Sequence, residues 1–392
     1  MSQFPEEPLH LGASDGFGYF PAYPGLKLNE NRYEVIRKLG YGPKSSTWLI
    51  LDLTGDREYL ALKILTAHIT AQETNELQNL QIIQQAGYFS LPRLNEHFVE
   101  SSHHGQHLCL GFTVLASSVE ELRLSSPTKS LPIHIVQKIV SDVAQQILQL
   151  HACDMIHGAM IADNFRFIGS QTKEDLDDDL ADLPPCVIER KIVVADIEYP
   201  IVLSQPVPHE CEWNSTAKDM ADAIIQLDNL GHAQLLQSKP TWEESKMDRS
   251  LRPPEVILGM GYGGEVDIWM FGASVYQLLT GEPLVPVGRT QSDADQLGWL
   301  VAMSGDSLNP ESALSKPEVF DKDGVFLGAI PEETLENRLL ASGRIPGNDI
   351  AGVLTFLNLC LRLEPAQRIS SKDIVLNQWV MDGGACSCCY DN

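Results

Sequence analysis

Apolar and polar positions change period along the chain. Between residues 33 and 65 they form three short runs, Tyr33-Glu34-Val35-Ile36-Arg37-Lys38-Leu39, Thr47-Trp48-Leu49-Ile50-Leu51 and Tyr59-Leu60-Ala61-Leu62-Lys63-Ile64-Leu65. Gly40-Tyr41-Gly42 and Thr54-Gly55-Asp56 separate them, which predicts three strands joined by turns. Residues 71–85 then carry helical spacing, with Leu77, Leu80 and Ile83 on one face, and 107–115 reads as another strand. Further on the helical period dominates, over about 133–151, 265–280, 292–303 and 348–363. The expected fold class is α+β, with a small β-rich lobe followed by a larger α-helical one.

The boundaries follow from where the pattern lapses. Residues 1–31, rich in Gly, Pro and aromatics, read as an extended arm; 32–116 form the small lobe and 117–381 the large one. Two stretches interrupt the large lobe, near 171–190 and 198–221. The first holds Glu174, Asp175, Asp177, Asp178, Asp179 and Asp182 within nine positions. These should repel one another and stay solvated, as an insertion or as a mobile contact for basic ligands. The tail 382–392 contains Cys386, Cys388 and Cys389, either free thiols on a frayed end or a site of acylation or metal binding.

Composition narrows the class. Apolar content of 43% and charged content of 21% are those of a globular chain with a substantial core. The net charge of −25, from 28 basic and 53 acidic residues, argues against direct nucleic-acid binding and suits basic partners. No apolar run reaches the length of a membrane span, and the first residues lack the form of a secretory signal. The remaining cysteines are scattered, as in a reduced cytosolic or nuclear protein, and no basic localisation cluster decides between those compartments.

Three groups of residues carry candidate chemistry. Gly40-Tyr41-Gly42-Pro43-Lys44-Ser45 lies between two strands, where glycines let a backbone approach phosphate oxygens, although a hairpin turn explains two glycines equally well. Lys63 ends the strand that follows, and Glu76 lies on the next helix. In the second half, Ile156-His157-Gly158-Ala159-Met160-Ile161-Ala162-Asp163-Asn164 follows an amphipathic helix. Arg252-Pro253-Pro254-Glu255, Asp267-Ile268-Trp269 and Leu363-Glu364-Pro365-Ala366-Gln367-Arg368 come later.

On these motifs, with the segment His107-Leu108-Cys109-Leu110-Gly111-Phe112-Thr113-Val114-Leu115, the chain resembles the SR-protein kinases and their fungal relatives. The similarity runs over about 19–379 and is densest at 252–269. It implies a bilobal protein-kinase fold. It also implies an ATP site from Gly40, Gly42, the pair Lys63–Glu76 and the hinge residues Thr113 and Leu115. Structural roles fall to a Glu255–Arg368 bridge and to Asp267 beneath the catalytic loop.

Carried over position by position, the resemblance also implies losses. The general base falls at Ala159 and the lysine beside the transferring phosphate at Ile161. Asn164 matches a magnesium ligand. The second metal position falls at Asn229 in Asp228-Asn229-Leu230-Gly231, with Asp228 and Asp196 as rivals. A positioned base contributes roughly 10²–10⁴-fold, and Asn in place of Asp removes a full charge from a hard-cation site. The expectation is a pseudokinase that binds or scaffolds basic, Arg/Ser-rich segments, with ATP optional and magnesium weak or absent. The alternative is an active ATP-dependent Ser/Thr kinase using a substitute carboxylate, Asp163 or Asp196.

Overall fold

The computed structural model describes residues 5–54, 58–72, 74–169, 172–238, 249–286, 288, 292–308, 316 and 318–384. Cys386, Cys388 and Cys389 lie outside the described residues. The chain forms two compact units, Met1–Ser117 with Arg166–Glu210, and Ser118–Phe165 with Cys211–Asn392.

The first unit is built on a six-stranded sheet. Its strands are β1 (Lys27–Leu28), β2 (Tyr33–Gly42), β3 (Ser45–Asp52), β4 (Tyr59–Leu65), β5 (Leu94–Ser102) and β6 (Gly105–Phe112). They lie in the order β1-β2-β3-β4-β6-β5 and every pair is antiparallel. Two helices, α1 (Ala67–Ala71) and α2 (Glu76–Ala86), stand between β4 and β5 where the periodicity predicts one. Period-two alternation sorts the side chains. Trp48, Ile50, Leu62 and Ile64 enter one core together with Phe20, Ala22 and Leu28, whereas Leu49 and Ala61 enter a second.

The N-terminal residues are not a free arm. Leu9 and Tyr19 are buried, and the Lys38 ammonium is enclosed by the carboxylates of Glu6 and Glu7 and the Val202 carbonyl. Burial pushes the Lys38 amine down to about 8, against the pull of Glu6. The ion cluster closes the arm onto β2.

Residues 166–210 also differ from the expectation of solvated loops in the larger lobe, since they group with the first unit. The acidic run forms a helix, α5 (Lys173–Asp182), and a hairpin follows from β9 (Ile188–Val194) and β10 (Ile197–Val202). Thr172 caps α5 by accepting from the Asp175 N–H, and Glu174 and Asp175 sit in its first turn, where the helix dipole favours negative charge. Lys173 pairs with Asp177 one turn on. Leu176 and Leu180, four residues apart, give the helix an apolar stripe. Capping and a two-leucine stripe outweigh the like-charge repulsion.

The short strand β8 (Phe165–Phe167) spans the passage between the units. The second unit is mainly helical: α3 (Val119–Ser125), α4 (Ile133–Ala152), α6 (Ala217–Ala221), α7 (Pro254–Ile257), α8 (Glu265–Thr280), α9 (Asp293–Ser304), α10 (Leu335–Ser342), α11 (Ile350–Cys360), α12 (Ser371–Ile374) and α13 (Gln378–Met381). Short strands β7 (Met155–Ile156), β11 (Ile225–Leu227) and β12 (Gln234–Leu235) hold its loops, β12 pairing with β7. The helix α8 is buried along nearly its whole length. A methyl group at Gly272 would lie 2.7 Å from Cys360 Cβ, so only glycine lets α8 and α11 approach this closely. Among the described residues no helix is long and apolar enough to cross a membrane.

Candidate functional site

In the first unit the candidate residues fall on β2, β3, β4 and α2. Pairing continues through the glycine segment, Gly40 opposite Thr47 and Gly42 opposite Ser45, leaving Pro43-Lys44 as a two-residue turn. Neither glycine has a positive φ, and a Cβ at either would meet nothing within 4 Å. The hairpin itself therefore does not require glycine at these positions. The Tyr19 hydroxyl donates to the Gly42 carbonyl at 2.7 Å, which ties the turn to the N-terminal residues.

Lys63 lies opposite Thr47 on β3 and Leu110 on β6. Its Nζ donates to Glu76 Oε1 at 2.6 Å, with the two side chains 12% and 4% exposed. The strand end and the first turn of α2 thus present an oriented ammonium group. Thr113 and Leu115 follow β6 in an extended, half-buried segment, and Val114 between them is buried.

In the second unit, α4 delivers the chain to β7 and then to the 157–164 loop. Asp267, fully buried on α8, accepts the His157 N–H at 2.8 Å and the Gly158 N–H at 2.9 Å, while His151 Nε2 lies 3.0 Å away. Burial pushes the Asp267 carboxyl up, but these donors and the neighbouring imidazoles hold it below the usual carboxylate range. Gly158 has φ of +73°, and a Cβ there would stand 3.2 Å from the His232 carbonyl, so the loop's turn requires glycine.

Beyond Gly158 the loop is closed by amides rather than opened by acids. His157 Nδ1 accepts the Ala159 N–H and Nε2 donates to the Asp228 carbonyl. Ala159 is 1% exposed. Asn164 Nδ2 donates to the Ala159 carbonyl at 2.8 Å, and Asn164 Oδ1 accepts from Asn229 Nδ2 at 3.0 Å. Asn229 takes the left-handed conformation, φ +63°, which Asn tolerates better than most residues. The Asp228 N–H donates to the Asn164 carbonyl. Asn164 and Asn229 are thus brought together, and their amides bond to each other.

Two of the rival carboxylates, Asp163 and Asp196, have local roles of their own, whereas Asp228 adjoins Asn229. Asp163 is exposed and its Oδ1 accepts from the Ser118 hydroxyl at 3.0 Å, beside the N-terminus of α3. Asp196, with Ala195, makes the two-residue turn between β9 and β10, both at positive φ, at an exposed tip of the first unit. Among the described residues no group of three or more His, Cys, Asp or Glu side chains is arranged to hold a metal. A hard cation such as magnesium takes carboxylate oxygens. Asn164 and Asn229 offer it neutral amide oxygens only, and Asn164 Oδ1 is already engaged by Asn229 Nδ2.

The structural pair is complete. Arg368 Nη1 and Nη2 donate to Glu255 Oε1 and Oε2 at 2.7 and 2.6 Å, both side chains being essentially inaccessible, and the guanidinium stacks 5.0 Å over Trp269. Arg252 turns to α9, pairing with Asp293 and Gln296. The residues that sequence reasoning missed are those on the inserted segment, Leu176, Leu180 and Val207. They cover the sheet face bearing Leu49 and Ala61.

Residues 215–380 match the protein kinase domain family. A serine/threonine protein kinase of Aspergillus fumigatus is 28% identical over 92% of this chain and 87% of its own length. The serine/threonine-protein kinase SRPK of Physarum polycephalum is 24% identical over 93% and 89%. Protein kinase dsk1 of Schizosaccharomyces pombe is 31% identical over 40% of this chain and 29% of its own. Among solved structures, a kinase-domain crystal structure matches with a TM-score of 0.63 at 17% identity, over 92% of this chain and 98% of that one.

Proposed function

We infer that this chain, which belongs to the SR-protein-kinase-like family of protein kinases and has their α+β bilobal fold, acts as a pseudokinase. It binds a partner and transfers no phosphoryl group to it. The observation that carries this reading is the loop itself. Buried Ala159 stands where the family's base stands, and the carboxamides of Asn164 and Asn229 bond to each other at the metal position.

Losing a positioned base costs roughly 10²–10⁴ in rate, or about 3–5.5 kcal/mol of barrier. Ile161 removes a cation from a step that depends on electrostatic stabilisation. The two carboxylates weighed as substitutes are engaged as a partner of Ser118 and as a hairpin turn residue. Nothing in their placement favours the active-kinase alternative.

The partner class that fits is a basic, Arg/Ser-rich protein segment in the cytoplasm or nucleus. The net charge of −25 and the outward carboxylates of α5 support it. Incubation with an Arg/Ser-rich peptide and magnesium-ATP tests both halves of the reading. The expected result is peptide binding that weakens steeply with salt, and a peptide of unchanged mass. Peptide that gains a phosphoryl group, or that binds no better than an acidic control peptide of the same length, would overturn it.

A further inference from the structure

The Lys63 face of the small sheet is covered by the chain's own inserted segment. Ala61 lies two residues before Lys63 on β4, so the two side chains share a face. Leu49, directly opposite Ala61, shares it too. Leu39 precedes Gly40, and Val114 lies between Thr113 and Leu115. An apolar patch bordered by the glycine hairpin, an oriented lysine and an extended strand exit is where the flat base of a nucleotide would lie, its phosphates toward Lys63. In this structure Leu176 of α5 and Val207 fill that patch, with Leu180 packed beside them.

The cover is attached by more than apolar contact. The Arg37 guanidinium donates to the carbonyls of Gln205 and Pro184 at 3.0 and 2.9 Å. The Gln205 N–H donates to the Lys38 carbonyl, and Cys186 Sγ to that of Ile36 at 3.4 Å. The Tyr59 hydroxyl donates to Asp177 Oδ1 at 2.7 Å, latching α5 to the start of β4. Residues 36–38, the approach to the glycine hairpin, are therefore bonded on one side to the segment that follows α5.

We propose that residues 172–207 are an intrachain plug. Leu176, Leu180 and Val207 occupy the base-binding face of the first unit, so a nucleotide binds only to molecules in which α5 has lifted. The apparent affinity is then the intrinsic affinity reduced by the fraction of molecules that are open. This goes beyond the lack of phosphoryl transfer, because it concerns binding and rests on different residues.

The test is titration of the full chain with a fluorescent ATP analogue in EDTA, comparing wild type, Leu176→Asp and Tyr59→Phe. A carboxylate at Leu176 expels the stripe from its apolar seat, and at least about a tenfold gain in affinity is expected. Tyr59→Phe removes only the latch and keeps the ring, so it stays folded; a gain of about two- to threefold is expected. Amide exchange at 173–182 in wild type should accelerate at saturating analogue. Wild type binding as tightly as both variants, a folded Tyr59→Phe or Leu176→Asp protein that gains nothing, or α5 amides equally protected with analogue bound would each overturn the plug. Tight nucleotide binding by wild type without phosphoryl transfer would sink the plug and leave the pseudokinase reading standing.

Discussion

Two regions of the second unit, in contact though some 100 positions or more apart in sequence, follow opposite rules. The ionic frame, Glu255 with Arg368 and Asp267 beneath the loop, keeps every charge and every hydrogen bond that a buried charge requires. The loop that this frame supports, from Ala159 to Asn164, carries an apolar side chain and neutral amides. The difference is one of folding cost. Removing one partner of a buried ion pair leaves an uncompensated charge in the interior. Exchanging a loop carboxylate for Ala or Asn leaves nothing uncompensated, because the amides satisfy one another.

The frame should break hardest. Arg368→Met strands the Glu255 carboxylate and should cost about 3–5 kcal/mol in urea unfolding; a loss below about 1 kcal/mol would make the pair ornamental. Asp267→Asn is the next step down, since the two loop N–H groups bond to different carboxylate oxygens and the amide replaces one of those acceptors by a donor. About 1–3 kcal/mol is expected. The pH dependence adds a sign. The Asp267 carboxyl is held below its ordinary range, so its contribution is present above the unfolded value near 4 and is lost as pH falls through the folded one. Wild type should show this acid limb, and Asp267→Asn should lack it.

The loop should respond weakly and in kind. Asn229→Asp loses the bond to Asn164 and should cost about 1 kcal/mol. It should also raise the melting temperature on adding magnesium, whereas wild type should show no shift. A magnesium-dependent shift in wild type would contradict the account of the amide pair. Smallest of all is Asp163→Asn, an exposed change expected within about 0.5 kcal/mol and with no effect on any phosphoryl transfer. If Asp163 were a working base, activity would vanish with it.

What is legible in the sequence follows from the range of each signal. Strand alternation and helix period are local, so the small sheet and the helices near 133–151, 265–280 and 348–363 can be read directly. Lys63 with Glu76 and Glu255 with Arg368 are legible because the resemblance supplies partners that composition cannot. The helix α5 is not legible. Its charge pattern covers most of its residues, whereas its packing signal is two leucines, and the strand residues they meet, Leu39, Leu49 and Ala61, precede them by more than 100 positions. The hold of Arg37 on Gln205 is likewise a contact of 168 residues' separation, with no local trace. Asp196 reads as a candidate ligand by its distance after Asn164, yet the paired runs on either side make it a hairpin turn.

The central claim is tested most directly by phosphoryl transfer from labelled ATP with magnesium to an Arg/Ser-rich peptide. Wild type would be compared with Lys63→Met as the control for contaminating kinase. The account predicts equal, background incorporation in the two proteins. Incorporation by wild type that disappears in Lys63→Met would contradict it and return a working base to this loop.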